Sequence, residues 1–230
     1  MLLPSAITAQ LTHSSFTSNS TPSTYCALLR ILSIDGLQSE LVSEIKASGF
    51  STASPEDIPK ILPHGLPLLR SCYWEAVRMH VVAASVREVM ETTTINTKPT
   101  PTSPEHTYTL RKGEVVNMPS VMLHFNPDVN PDPDTFQPKR FLSKEQGGWG
   151  QNPATCTRGF GGGASYCPGR VFAERQIVGF LATLLWEYEC DFEGKWKLPM
   201  TAEFDDVSKT KPRAFLRMKK REHDGGGEET

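Results

Sequence analysis

The 230-residue sequence has no excess of either charge, no paired-cysteine motif and no long apolar run. Its net charge is −2 at pH 7, so nothing points to nucleic acid or to a cationic membrane-surface face. The longest apolar run, Val178 to Trp186, is far short of the ~20 residues that span a bilayer. The opening Met1-Leu2-Leu3-Pro4-Ser5 lacks a basic stretch and is broken by Pro4, which is a poor signal peptide. The five cysteines, Cys26, Cys72, Cys156, Cys167 and Cys190, are odd in number and scattered. That argues against a disulfide framework or a zinc knuckle, and for an intracellular or cytosol-facing protein. No internal repeat is visible.

What is present begins with punctuation. Eighteen prolines and seventeen glycines predict a loop-rich chain. Residues 1–20 are rich in Ser and Thr and show no period. An apolar stretch follows from Ser23 to Leu32. Leu37, Leu41 and Ile45, spaced by four, predict a helix over 37–47 that stops at Gly49. Pro55-Glu56-Asp57 opens a short helix, and Pro67 a stronger one through His80. Val81 to Ile95 is dense in Val and Thr, as strands are. Pro99-Thr100-Pro101 reads as a turn. Residues 108–110 and 114–116 read as a hairpin around Lys112-Gly113. Four prolines break 126–138 into coil. A long helix is expected from about Cys167-Pro168 to Glu187, with strand-like segments near 187–192 and 214–218. The Gly-rich end, residues 221–230, is expected to be a disordered tail.

Phe160-Gly-Gly-Gly-Ala-Ser-Tyr-Cys167-Pro-Gly169-Arg170, followed by Ala173, has the strongest chemical content. Glycines let backbone pass close to a flat ligand. A cysteine where a loop meets a helix faces helix N–H groups, which favour thiolate over thiol. Two other readings of the stretch exist. A lone buried cysteine is most often a small core residue. Gly159 to Ala164 also fits G-x-G-x-x-A, but Asn152 to Arg158 before it is a poor strand and the helix starts too late for a dinucleotide fold.

Two further motifs precede the loop. Glu75-Ala-Val-Arg78 places opposite charges on one face of the Pro67 helix. Phe136-Gln-Pro138-Lys-Arg140-Phe141 places another arginine after the proline-rich coil. Alone, each reads as solvated surface charge. Together and in this order, E-x-x-R, then P-x-R-F, then F-x-x-G-x-x-x-C-x-G-x-x-x-A, they resemble the C-terminal half of the cytochrome P-450 family.

The resemblance implies a mainly α fold with a small β portion, and haem b (iron protoporphyrin IX) as cofactor. Cys167 would be the axial iron ligand, with Phe160 packed beside the sulfur, Gly163 and Gly169 permitting tight turns, and Ala173 completing the signature. Glu75, Arg78 and Arg140 would form a buried structural triad. Arg87 would bind a haem propionate. Many members carry a second basic residue two positions before the cysteine; here that position is Ser165, a hydrogen-bond donor without charge. His124 would be a structural histidine rather than a second iron ligand. Residues 18–29 resemble the centre and second half of the helix that crosses the haem, with Thr21 first and Asn19 second as residues delivering protons to oxygen. A Ser/Thr-rich disordered terminus explains the same residues equally well.

By the same resemblance, residues 17–220 form the C-terminal haem-binding part of the family domain, and residues 1–16 stay unassigned. The implied activity is insertion of one oxygen atom from O₂ into an apolar small molecule such as a sterol, lipid or secondary metabolite. The implied partner is NADPH–cytochrome P-450 reductase or another electron donor. Full-length relatives sit at the endoplasmic reticulum membrane; no anchor is read here. The family's early helices and much of its distal side are not matched, so an incomplete chain is expected. A non-catalytic haem-binding fragment and a haem-thiolate isomerase are the alternative readings.

Overall fold

The computed structural model describes residues 20–52, 56, 58–62, 65–99, 103–142, 153–192 and 215–222. The expectations for residues 1–16, Asn19 and the tail from 223 lie outside them.

Four helices build the core. They are α1 (Thr21–Leu32), α2 (Leu37–Ala47), α4 (Pro67–His80) and α7 (Arg170–Glu187), with the short α3 (Ile58–Ile61) between α2 and α4. On α2, Leu37, Leu41 and Ile45 fall one turn apart and are all buried, as their spacing predicts. On α7, Ile177, Val178, Leu181, Ala182 and Leu185 form the buried stripe, while Phe172 and Phe180 face out. These side chains join one apolar cluster with Leu66, Leu69, Cys72 and Tyr73 of the α4 region.

The central helix is α4, which is buried on almost every face. Pro67 starts it, since proline there forfeits no helical hydrogen bond. Its N-cap, Leu66, has no side-chain acceptor to offer the first N–H groups. Glu44 of α2 takes that part from a distance: its Oε1 accepts from Leu68 N at 2.6 Å and its Oε2 from Leu69 N at 3.0 Å. A carboxylate at a helix N-terminus satisfies orphan donors and meets the positive end of the dipole.

The strands depart from the sequence reading. β1 (Ala84–Glu88) pairs antiparallel with β4 (Val115–Pro119), and β2 (Thr93–Asn96) with β3 (Thr107–Leu110). The segments flanking Lys112-Gly113 therefore do not pair with each other. Gly113 N donates to Val89 O, and Val89 N to Glu114 O, so the Lys112-Gly113 turn is a break within one long ribbon. The chain reverses instead between Thr97 and His106, where Thr97 N donates to His106 O. Proline cannot donate to a ladder, so the reversal falls where the prolines are.

α5 (Ser120–His124) follows β4 directly, and the proline-rich coil then leads to Arg140. α6 (Pro153–Cys156) replaces the poor strand before the cysteine loop. Finally β5 (Tyr188–Phe192) pairs with β6 (Leu216–Lys220), close to the expected segments. Among the described residues no helix is long and apolar enough to cross a membrane.

Candidate functional site

The site is built on α4. Glu75 and Arg78 both have fully buried side chains, one turn apart. Arg78 Nε donates to Glu75 Oε2 at 2.8 Å and Arg78 Nη2 to Glu75 Oε1 at 2.9 Å, a two-pronged pair. Arg140, equally buried, reaches the same carboxylate with Nε at 3.0 Å from both oxygens. Gln137 N adds another donor to Glu75 Oε1. The surplus positive charge is spread over carbonyls: Arg78 Nη1 donates to His124 O, and Arg140 Nη1 and Nη2 donate to Pro131 O and Asp132 O. Burying three ions would cost several kcal/mol each without such partners. With them, the proline-rich coil is tied to α4 by its backbone.

The cysteine loop lies against the same helix. Phe160 stacks edge-on against Trp74, with ring centroids 5.7 Å apart. Gly159 packs on Val77 so closely that a Cβ would meet Val77 Cγ1 at 2.4 Å. The loop closes through Cys167 N donating to Phe160 O at 3.0 Å and Tyr166 N to Gly163 O at 3.1 Å. Gly161 (φ 76°) and Gly163 (φ 61°) take left-handed backbone, where other residues are strained. Gly169 lies in the tight turn from Cys167 to Arg170, as expected, but its φ of −81° is open to any residue. What distinguishes it is nearness, since a Cβ there would lie 3.9 Å from Cys167 Sγ. α7 starts at Arg170 rather than at Cys167-Pro168, so the thiol sits just ahead of the helix N-terminus. Ala173 closes the first turn, its N donating to Gly169 O.

Cys167 differs from the other cysteines in exposure. Cys26, Cys72, Cys156 and Cys190 are buried, and Cys167 is half-buried. Burial pushes the Cys26 thiol up to about 11 and raises Cys72 and Cys190 as well. Those thiols are core residues; Cys167 is the accessible one. Beside its loop opens a cavity of about 550 Å³. Gly161 to Ala164 and Tyr166 form one wall, and Ser85, Arg87 and Met118 of the β1–β4 ribbon form the other. Ser85 and Arg87 share a strand face, as alternate residues must.

The cytochrome P-450 family model matches residues 18–218. The chain belongs to the cytochrome P-450 family. It is 41% identical to the cytochrome P-450 monooxygenase poxD of Penicillium oxalicum over 221 residues, which is 95% of this chain and 44% of that protein. It is 33% identical to a cytochrome P-450 monooxygenase of Gibberella zeae, over 78% of this chain and 34% of that protein. It is 26% identical to cytochrome P-450 7A1 of Rattus norvegicus, over 79% and 38%. A solved cytochrome P-450 (CYP102L1) superposes with a TM-score of 0.66 at 22% identity, covering 88% of this chain and 42% of that one, which shows the fold alone. The chain thus spans less than half the length of these relatives.

Against the cytochrome P-450 pattern, the expected site residues separate into groups. Glu75, Arg78 and Arg140 come together, as do Phe160, Gly163, Cys167, Gly169 and Ala173. Arg87 reaches the cavity wall from β1. Ser165 is exposed and outside that wall, and Cys167 and Phe160 lie beside the wall rather than in it. Thr21 is exposed at the first turn of α1 and does not line the cavity. His124 is buried, with Nε2 accepting from Arg158 N at 2.9 Å. Burial, then the nearby Arg78 charge, lowers its pKa to about 4, so it stays neutral and structural. Sequence reasoning missed Arg158, which lines the cavity, and Gly159. No motif flags Arg158, and Gly159 enters only through the dinucleotide pattern set aside above, because both matter through contacts with segments far along the chain.

The residues fit a haem. An accessible thiol at a helix start, an aromatic residue whose carbonyl accepts from the cysteine's amide, a glycine wall and arginines for carboxylates are the set that group needs.

Proposed function

We propose that this chain is the haem-bearing part of a haem-thiolate monooxygenase, in which Cys167 would hold the haem iron. The observation that carries the reading is the half-buried Cys167 thiol on a glycine loop seated against Trp74 and Val77 of α4, the helix that carries Glu75 and Arg78. When bound, haem b supplies activation of O₂ for insertion of one oxygen atom into an apolar substrate, with electrons from NADPH–cytochrome P-450 reductase or another donor.

The chain's own residues do the rest. The amide hydrogen bond from Cys167 to Phe160 O holds the thiolate-bearing residue, and Phe160 shields it on the Trp74 side. Arg87 offers its guanidinium to a propionate. Thr21, at the start of α1, would be the proton donor on the oxygen side, with Asn19 as the second. Names of relatives such as cholesterol 7-alpha-monooxygenase of Cricetulus griseus favour a sterol or another lipid as substrate class. The place of work is the cytosolic side of the endoplasmic reticulum.

The test is the carbonyl complex of the reduced, haem-loaded chain. It should show the red-shifted Soret band of thiolate ligation. Cys167→Ala should lose that band and Cys156→Ala should keep it. Retention of the band in Cys167→Ala would overturn the assignment. Dependence of product formation on NADPH and reductase separates oxygenase from isomerase.

A further inference from the structure

Part of the positive charge beside the cysteine loop sits where the family pattern does not put it. Ser165, at the position where many relatives are basic, is exposed and outside the cavity wall. Two arginines are in that wall: Arg87 from β1 and Arg158 from the segment entering Gly159. No aspartate or glutamate is among its described lining residues. Two cations on one cleft, without an acid between them, favour a ligand that brings two negative groups.

Arg158 is held in place by its surroundings. Its N–H donates to His124 Nε2, and His124 is buried and neutral, so the acceptor lone pair persists at physiological pH. The preceding Thr157 is fixed by both N and Oγ1 donating to Pro153 O. The Arg158 stem then runs along the glycine wall: a Cβ on Gly162 would lie 3.6 Å from both its Cδ and its Nε. The absence of a side chain at Gly162 thus leaves the guanidinium room to lie along the cavity.

We propose that Arg158 supplies the anion-binding charge that Ser165 lacks, and that Arg158 and Arg87 together hold the two propionates of haem b. This rests on the haem reading above. Arg158 is a positioning residue; it never meets the reacting atoms.

The experiment titrates hemin, and separately the dimethyl ester of haem, into the full 230-residue chain freed of haem. Arg158→Gln should weaken hemin binding about tenfold, the scale of a lost charge-assisted hydrogen bond. Affinity for the ester, which lacks the carboxylates, should be the same with and without the substitution. Adding Ser165→Arg to Arg158→Gln should restore hemin binding by returning the charge to the family's position. In the unsubstituted chain, hemin but not the ester should protect Arg158 from phenylglyoxal, a readout that needs no variant to fold. Equal hemin affinity in Arg158→Gln, or equal loss for hemin and ester, would overturn the proposal and leave the haem reading standing. Failure of the unsubstituted chain to take up hemin would overturn both.

Discussion

Gly159 and Val77 touch so closely that a Cβ on the glycine would lie 2.4 Å from Val77 Cγ1. Val77 sits between Glu75 and Arg78 on α4, so this contact locks the cysteine loop onto the helix that carries the buried charges. Valine is stiff at χ1 and cannot swing aside cheaply. Gly159→Ala should therefore cost ~1–3 kcal/mol by overpacking. Gly162→Ala is the control: its backbone is extended (φ −171°) and its nearest neighbours are 3.6 Å away, in the flexible Arg158 side chain. Urea midpoints should drop for Gly159→Ala and stay close to the parent for Gly162→Ala. The reverse order would show that the loop does not seat on Val77.

The Glu75 carboxylate holds two arginines at once, so removing it strands both. Glu75→Gln should cost about 3–5 kcal/mol, because two arginines remain buried without a counter-ion, and Arg140→Ala should also destabilise, because Pro131 O, Asp132 O and the Glu75 carboxylate lose a buried donor. The double replacement should cost much less than the sum, since the members act as a unit. Haem content and soluble yield should fall together in all of them. An Arg140→Ala protein of parental stability but without activity would instead point to a chemical role.

Acid should destabilise the chain through two buried histidines. Burial first, and arginine charge second, lowers the pKa of His80 to about 3 and of His124 to about 4. Arg30 Nε donates to His80 Nε2 and Arg158 N to His124 Nε2, and both bonds need neutral imidazole. Between the ordinary 6.5 and those lowered values, the unfolded chain binds protons that the folded chain refuses. Stability is thus full above about pH 6.5 and falls as pH falls, by roughly 3 kcal/mol for each histidine at pH 4. Glu44 works the other way: burial raises its pKa, so protonation between 4.5 and that higher value relieves a cost. The net trend should still be loss of stability on acidification. Urea midpoints from pH 7 to 4.5 should decline, and less steeply in His124→Asn. A flat series would contradict the neutral-histidine assignment.

Legibility in the sequence followed the range of the interaction. The periodic helices were readable because their information is local: Leu37, Leu41 and Ile45 mark one face, and Pro67 marks a start. The triad was readable only through family resemblance, since Glu75 and Arg140 are far apart in the chain and each alone reads as surface charge. Strand partners were misread at Lys112-Gly113, where a tight turn signal marks a break in the ribbon. A turn residue reports local backbone, while pairing depends on which strand lies across the sheet.

The sequence by itself determined the order of the three motifs, the helical core around α4 and the identity of the one cysteine set in a glycine loop. Each of these follows from residue type at fixed spacing. The tertiary structure alone decided that Glu44 caps α4, that Gly159 must lack a side chain against Val77, and that Arg158 joins Arg87 across one cavity. These are contacts between segments with no periodic relation to one another. They exist only once the four helices have buried their apolar faces and brought the loops to meet.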